Sequence, residues 1–344
     1  MIKNIIIIGT GWYGLHTALL LQNKYNVIIL EKNTEIFNNS SNYNQNRLHL
    51  GYHYPRCSKT REICYKGYYK FIDKYRDLVD FIDNNYYCIS KDSNIDYKTY
   101  LQIYNINNYN HTIIKNNIFN NIDGDIINTQ EKIINSKKSK NYFKKNIKCE
   151  IKFNYRVSNI KQINNKVIIN NELECDLLFD CTYNQLNLSK NKYIYENTIS
   201  LLYKRINFND NYESLTVMDG NFFSLFPRDV HKKLYTLTHV KYTPFVKSNN
   251  IDDLNLNSES TITEKEINLI KNNMIKDVKE YIPDFLKKYT YISYFTSYKC
   301  KVLSKNDNRD CIIEKNNNII SVNCGKIIGI FQLEKYIKSN LELL

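Results

Sequence analysis

Three glycines near the amino terminus, Gly9, Gly11 and Gly14, stand in the G-x-G-x-x-G spacing, and an acid, Glu31, follows about 20 residues later. Each member has a job in binding a dinucleotide. The first glycine permits a tight turn, the second lets a pyrophosphate reach the backbone, and the third lets a helix pack closely on a strand. The acid is suited to accept hydrogen bonds from an adenosine ribose. Trp12 lies inside the motif and Lys32 directly follows the acid, so both belong to the same candidate cofactor site. These residues alone accommodate either FAD or NAD.

A second constellation lies downstream. Arg47, His49, His53, Tyr54 and Arg56 fall within ten residues around Gly51, in a chain with only six histidines. If the segment is extended, alternation puts Arg47, His49 and Gly51 on one face, with Leu48 between them. Such a cluster suits a strand beside a cofactor or substrate. A third group comprises Arg228 in SLFPRD and His239 with Tyr242 in THVKYTP. Arg228 is suited to bidentate contact with a carboxylate or phosphate. Arg47, Arg56 and Arg309 are further candidates for that role. His53 and His239 are suited to take a hydroxyl proton near neutral pH.

The elements needed to position these groups are visible in the apolar pattern. Ile5–Ile8 is a short continuous run of the kind expected for a parallel strand buried on both faces. Leu15, Ala18, Leu19 and Leu20 continue at helical spacing, and Val27–Leu30 is a second buried strand ending in Glu31. From about Ser58, apolar residues at Ile63, Phe71, Tyr75, Leu78 and Ile82 predict a helix of several turns. Between Ile147 and Asp180 short β-rich runs alternate with Asn-Asn turns, the last run being Leu177–Asp180. Alternating, aromatic strands are predicted at Tyr193–Ile206, Leu215–Val217, Phe222–Phe226 and Leu234–His239, as in an antiparallel sheet. Thr263-x-x-Glu266 is a capping box opening a helix whose apolar face is Ile267, Ile270, Met274 and Val278. A turn at Asp307–Asp310, strands Cys311–Glu314 and Ile319–Asn323, and a last helix close the chain.

Composition narrows the function classes. The chain of 344 residues is rich in Asn, Lys, Ile and Tyr, with 30 Tyr but 9 Gly and 4 Pro, and Ala18 is its only alanine. That bias is the signature of an AT-rich genome. It accounts for much of the net charge of +13 through lysine inflation, and no zinc-finger spacing or aromatic-and-basic module points to nucleic acid. It also makes each surviving glycine more informative, because glycine persists where φ > 0 or close approach demands it. Nine cysteines without a CxxC pair argue against a disulfide scaffold or a zinc site, so no metal is expected and a reducing, cytoplasmic setting is. No apolar run reaches spanning length. The Asn-rich stretch 105–128 reads as a polar insertion with short strands.

The segment SSNYNQNRLHLGYHYPRCSKTREICYKG resembles the second signature of the FAD-dependent D-amino-acid-oxidase superfamily, nearest to its 2-hydroxyglutarate oxidase and glycerol-3-phosphate dehydrogenase branch. Its His-x-Gly-x-x-Tyr core is His49, Gly51 and Tyr54 here, followed by Pro55, Ser58, Cys64 and Gly67. The resemblance implies that this stretch runs along the flavin and makes His49 the position at which covalent FAD attachment would occur. It further implies that a strand near Val157 passes the adenine, and that Leu177–Asp180 ends in a turn against the cofactor at Thr182. Cys181-Thr182-Tyr183 departs from the small residues usual in that turn. At the carboxyl end, Gly325 and Gly329 match a glycine turn opening a helix toward the pyrimidine edge of the flavin, in a looser form than Gly-x-Gly.

The implied fold is α/β (α+β), with a Rossmann-like FAD-binding domain and a discontinuous antiparallel-sheet substrate domain. The boundaries are 1–85, 147–190 and 301–344 for the first domain and 86–146 and 191–300 for the second. The implied function is an FAD-dependent oxidoreductase, an oxidase or dehydrogenase moving a hydride from a small amine, amino acid or 2-hydroxy acid to flavin N5, with an anionic substrate fitting the basic balance. Alternatives are a flavin-dependent sugar-nucleotide mutase, an NAD dehydrogenase and a non-catalytic dinucleotide-binding protein.

Overall fold

The computed structural model describes residues 3–206, 213–220, 222–254, 262–303 and 309–341. β1 (Asn4–Ile8) lies inside a six-stranded sheet between β2 (Asn26–Leu30) and the strand Leu177–Asp180, and is parallel to both. Being central, it is covered on both faces, which is why four consecutive isoleucines suit it. Glu150–Lys152 extends the sheet beyond β2, and Ile319–Asn323 extends it on the other side, all in parallel. Ile312–Asn316 forms an antiparallel edge. The register pairs Ile8 with both Leu30 and Asp180, so the carboxyl ends of the three central strands are level and open into one crevice.

α1 (Trp12–Leu21) starts at that crevice and is buried on most of its circumference. Gly14 explains how closely it packs: a Cβ there would lie 1.9 Å from the Gly9 carbonyl oxygen. Trp12 anchors the helix in an aromatic cage of Phe37, Phe71, Tyr75 and Phe143, all edge-on or steeply tilted. His16 ties it to two further elements, with Nδ1 2.7 Å from the Tyr75 hydroxyl and Nε2 3.0 Å from Glu334 on the helix Ile330–Leu341.

The second layer is a nine-stranded sheet whose two longest strands, Tyr193–Arg205 and Tyr289–Val302, pair antiparallel along almost their whole length. It runs on through Leu234–His239, Phe223–Asp229 and Ser214–Met218 to Asn85–Ser90, Ile122–Thr129 and His111–Ile114. Only the Ser214–Met218 and Asn85–Ser90 pair is parallel. The helix Glu264–Lys279 covers one face through Ile267, Met274 and Val278, and begins with the expected capping box of Thr263 and Glu266. A small sheet of Arg47–Leu48, Lys132–Ile134 and Val79–Asp80 lies between the two large ones.

Several elements depart from the sequence pattern. Residues 47–51 are not a continuous strand. Pairing covers only Arg47–Leu48, and Gly51 turns the chain at φ +119°, where an added Cβ would sit 3.0 Å from the Arg61 carbonyl oxygen. The helix Ser58–Tyr75 stops before Leu78, which ends a tight turn, and Ile82, which lies beyond the short strand Val79–Asp80. The Asn-rich stretch supplies the end of the helix Tyr97–Ile106 and two strands of the large sheet. The helix Ser136–Asn146, which the sequence groups with the substrate half, packs Phe143 into the cage around Trp12. Of the turn expected at Asp307–Asp310, Asp307 and Asn308 lie outside the described residues.

Candidate active site

The crevice at the carboxyl ends of β1 and β2 opens into a cavity of about 590 Å³. Gly9, Gly11, Glu31, Lys32, Val157 and Thr182 are all in its wall, which brings together residues from three separated segments. A second cavity of about 360 Å³ adjoins it. Gly11, Ser40, Ser41, Cys181 and Tyr183 line both, so the two form one elongated channel. The far end is bounded by Arg47, His49, Lys299, Gly325 and Lys326.

At the near end the chain leaves β1 through Gly9 at φ +101°, a conformation that L side chains rarely adopt, and enters α1 at Gly11. No acidic residue occupies the first turn of the helix, so its free N–H groups and dipole favour an anion there. Ser41 faces this turn: its Oγ accepts from the Trp12 backbone N–H at 3.1 Å and lies 2.8 Å from where a Gly11 Cβ would be. Glu31 is buried in the wall. One of its oxygens accepts from the Thr10 N–H and hydroxyl, and the other from the N–H and side-chain amide of Asn33. The acid thus orders both flanking loops. Lys32 bonds Gln185 at 2.7 Å, and burial together with Arg156 holds its pKa below the usual lysine range.

The far end is cationic. Lys299 projects from the strand Tyr289–Val302 into the wall and has no carboxylate within ion-pair distance among the described residues. Burial, reinforced by Lys301, lowers its pKa to about 7. Glu196, which acts on it in the opposite sense, is committed to Lys301 at 2.8 Å. Lys326 stands over the Tyr54 ring, 4.5 Å from its centre. His49 is held neutral by burial and by the surrounding cations, Lys326 and Arg47 first among them. Tyr183, the bulky residue in the turn after Leu177–Asp180, adopts φ +62° and puts its hydroxyl 3.2 Å from where a Gly325 Cβ would be, narrowing the junction of the two cavities.

Several candidates from the sequence do not reach the channel. His239 is almost fully buried on the face of the large sheet under the helix Glu264–Lys279, 3.2 Å from Asp277, and burial lowers its pKa. It is not among the residues that line either cavity. Arg228 donates to the Asn42 and Asn44 carbonyls and to the Asn42 side chain at 2.6–3.0 Å, so it shapes the loop that borders the channel and is not itself in the channel wall. Arg47 borders the channel, and its two terminal nitrogens bond Tyr87, Glu131, Thr216 and Ser224, while its buried Nε has no hydrogen-bond partner among the described residues. His53 lies behind His49, its Nδ1 2.6 Å from the Tyr87 hydroxyl. Arg56 pairs with Asp219. Leu48 is fully buried in the small sheet. Gly14 and Gly329 serve close packing: a Cβ at Gly329 would lie 2.2 Å from the Tyr13 hydroxyl.

Sequence reasoning missed Ser41, Glu131, Lys299 and Lys326. Ser41 and Lys326 each sit beside a glycine turn that was noticed, so proximity to the turn was an available signal. Glu131 and Lys299 carried none, being one acid and one lysine among many in elements far from any motif.

The comparisons with known proteins agree with this geometry. No family profile matches the chain. The FAD-dependent monooxygenase FPY4 of Fusarium mangiferae is 29% identical over 340 residues, which is 98% of this chain and 90% of that protein. Glycine oxidase from Geobacillus kaustophilus superposes with a TM-score of 0.73 at 7% identity, over 99% of this chain and 95% of the oxidase. L-alpha-glycerophosphate oxidase from Mycoplasma pneumoniae, solved with FAD bound, gives 0.73 at 15% identity over 99% and 94%. The fold is thus that of FAD-binding oxidases, a two-layer α/β flavoprotein architecture. The chain is thus similar over nearly its whole length to an FAD-dependent monooxygenase and shares its fold with these oxidases.

Proposed function

We infer that this protein is an FAD-dependent oxidoreductase that oxidises a small anionic amine, amino acid or 2-hydroxy acid. The observation that carries this reading is the single channel with a phosphate-binding turn at one end and a cationic, histidine-bearing chamber at the other. The wall fits FAD in kind: the bare backbone at Gly9 and Gly11 suits a pyrophosphate, Val157 and Thr182 flank the adenosine end, and His49 and Gly325 border the flavin end. Bound FAD supplies a two-electron acceptor for the hydride leaving the substrate carbon. The protein contributes position and charge. Lys299 and Lys326 attract the substrate anion and orient it, while neutral His49 is ready to accept a proton. The turn Gly325–Ile328 lines the chamber just ahead of the helix Ile330–Leu341.

A second reading rests on the full-length relative, which is named a monooxygenase. In it the same channel serves insertion of an oxygen atom from O2. One experiment separates the readings. The purified protein should show flavin absorbance bands, and anaerobic addition of a panel of amino and 2-hydroxy acids should bleach them without another reductant. Absence of flavin bands refutes both readings. Bands that bleach only with an added reductant, with 18O from O2 appearing in the product, support oxygenation. As for location, no helix among the described residues is long and apolar enough to cross a membrane, and all nine cysteines are free thiols, which supports a reducing, cytoplasmic setting.

A further inference from the structure

Behind the flavin end of the channel lies a buried carboxylate with no role so far. Glu131 has 1% of its surface exposed. Its Oε2 accepts from the Tyr87 hydroxyl at 2.6 Å and from Arg47 at 3.3 Å, and its Oε1 accepts from the Leu50 backbone N–H at 2.7 Å. A carboxylate oxygen offers about two acceptor sites, so Oε1 has one unused. The nearest donor for it is His49 Nδ1, which lies 3.7 Å away, buried and without a hydrogen-bond partner. The other nitrogen of that ring, Nε2, is not among the buried unpaired atoms, and His49 is part of the channel wall.

We propose that Glu131 and His49 form a proton-transfer dyad, in which Glu131 is the positioning residue that fixes a proton on His49 Nδ1 and leaves Nε2 as the catalytic base for the substrate hydroxyl. This deepens the flavoenzyme reading above and rests on it. The fit is one of geometry and charge together. An approach of less than about 1 Å converts the 3.7 Å contact into a hydrogen bond, the kind of tightening that substrate binding brings to loosely aligned catalytic pairs. The carboxylate is held from three other directions by Leu50, Tyr87 and Arg47, so it cannot swing away. Its charge is already balanced by the Arg47 guanidinium, which favours handling a proton over holding a metal ion among His49, His53 and Glu131. In the step itself the substrate O–H bond breaks and its proton moves to His49 Nε2. The C–H bond breaks with its electron pair leaving as hydride to the flavin, and the product carbonyl forms. His49 becomes an imidazolium whose Nδ1–H points at Glu131.

The groups facing His49 set its acidity: Glu131 and His53 beside it, and the cations Lys326, Arg47, Arg309 and Lys299 around it. The cations keep it neutral until it receives the substrate proton, and Glu131 stabilises the charged form that results.

The test uses the FAD-loaded full chain with 15N-labelled histidine. In the parent, His49 should carry its proton on Nδ1. In Glu131→Gln that preference should be lost, with flavin content unchanged and anaerobic bleaching by a 2-hydroxy acid slowed at least 100-fold. Glu131→Asp should restore part of both. Should Glu131→Gln fail to fold, His49→Ala carries the test, since added imidazole should recover its bleaching rate. His53→Gln should slow bleaching less than tenfold. A parent protein with the His49 proton on Nε2, or a His49→Ala rate indifferent to imidazole, overturns the dyad while leaving the flavoenzyme reading in place. A colourless protein overturns that reading and the catalytic use of the dyad with it.

Discussion

The two ends of the channel are built in opposite ways. The near end is built mainly on one contiguous stretch, β1 to Glu31, whose turn, helix and acid are neighbours along the chain, with Val157 and Thr182 completing the wall. The far end is assembled from residues 47–49, 299 and 325–326, with Glu131 beside His49, and these come from four separate segments of the chain. A phosphate site needs only backbone N–H groups and an absent side chain, so it can be encoded locally. A chamber for a reacting carbon needs charges and a base at set separations on several sides, and only long-range packing can supply those.

That contrast can be broken most directly at Gly11. Replacement by Val puts branched carbon atoms where Ser41 Oγ and the pyrophosphate must approach, so the purified protein should lose its flavin absorbance almost completely while remaining folded by circular dichroism. If Gly11→Val purifies as yellow as the parent, the near end is not where the cofactor is held. The far end is probed by Lys299→Met, which should weaken binding of an anionic substrate roughly 10- to 150-fold, the worth of one charge-assisted hydrogen bond, and spare flavin content.

The pH dependence sharpens the same point. Lys299 is lowered to about 7, so below that it is charged and attracts the anion, and above it the attraction fades. Substrate dissociation constants should rise as pH increases through this range in the parent and stay flatter in Lys299→Met. A smaller effect is expected for Arg228→Ala. Losing three bonds to the loop 42–44 should raise KM severalfold and destabilise the fold by about 1–3 kcal/mol, read as a lower Tm. A complete loss of substrate binding there would instead mean that the arginine meets the substrate itself. The smallest effect belongs to Thr263→Ala, remote from the channel. Loss of the capping box should cost about 1 kcal/mol of stability and leave turnover unchanged.

Legibility followed the same division. Gly9, Gly11, Glu31, Lys32, Val157 and Thr182 could be named from motif and resemblance, and all line the near cavity. His49 and Gly325 could also be named, because each belongs to a segment with a recognisable spacing. The reading failed where side-chain direction decided the role. His239 and Arg228 have the right chemistry, but one lies beneath a helix and the other is consumed by a loop. The alternation expected at 47–51 failed at Gly51, which turns the chain, although Arg47 and His49 still meet the same carboxylate, Glu131.

The amino-acid sequence by itself determined the βαβ unit, its glycine turn and acid, the strands of the large sheet and the capping box. These depend on periodicity, local sterics and hydrogen bonds within a few residues. The tertiary structure alone decided that Lys299 is a recessed cation on the channel wall, that Arg47 is spent on Glu131 and its neighbours, and that Glu131 stands behind His49. Those facts depend on burial and on contacts across long stretches of chain, Arg47 and Ser224 being 177 positions apart, and nothing local to any of the residues records them.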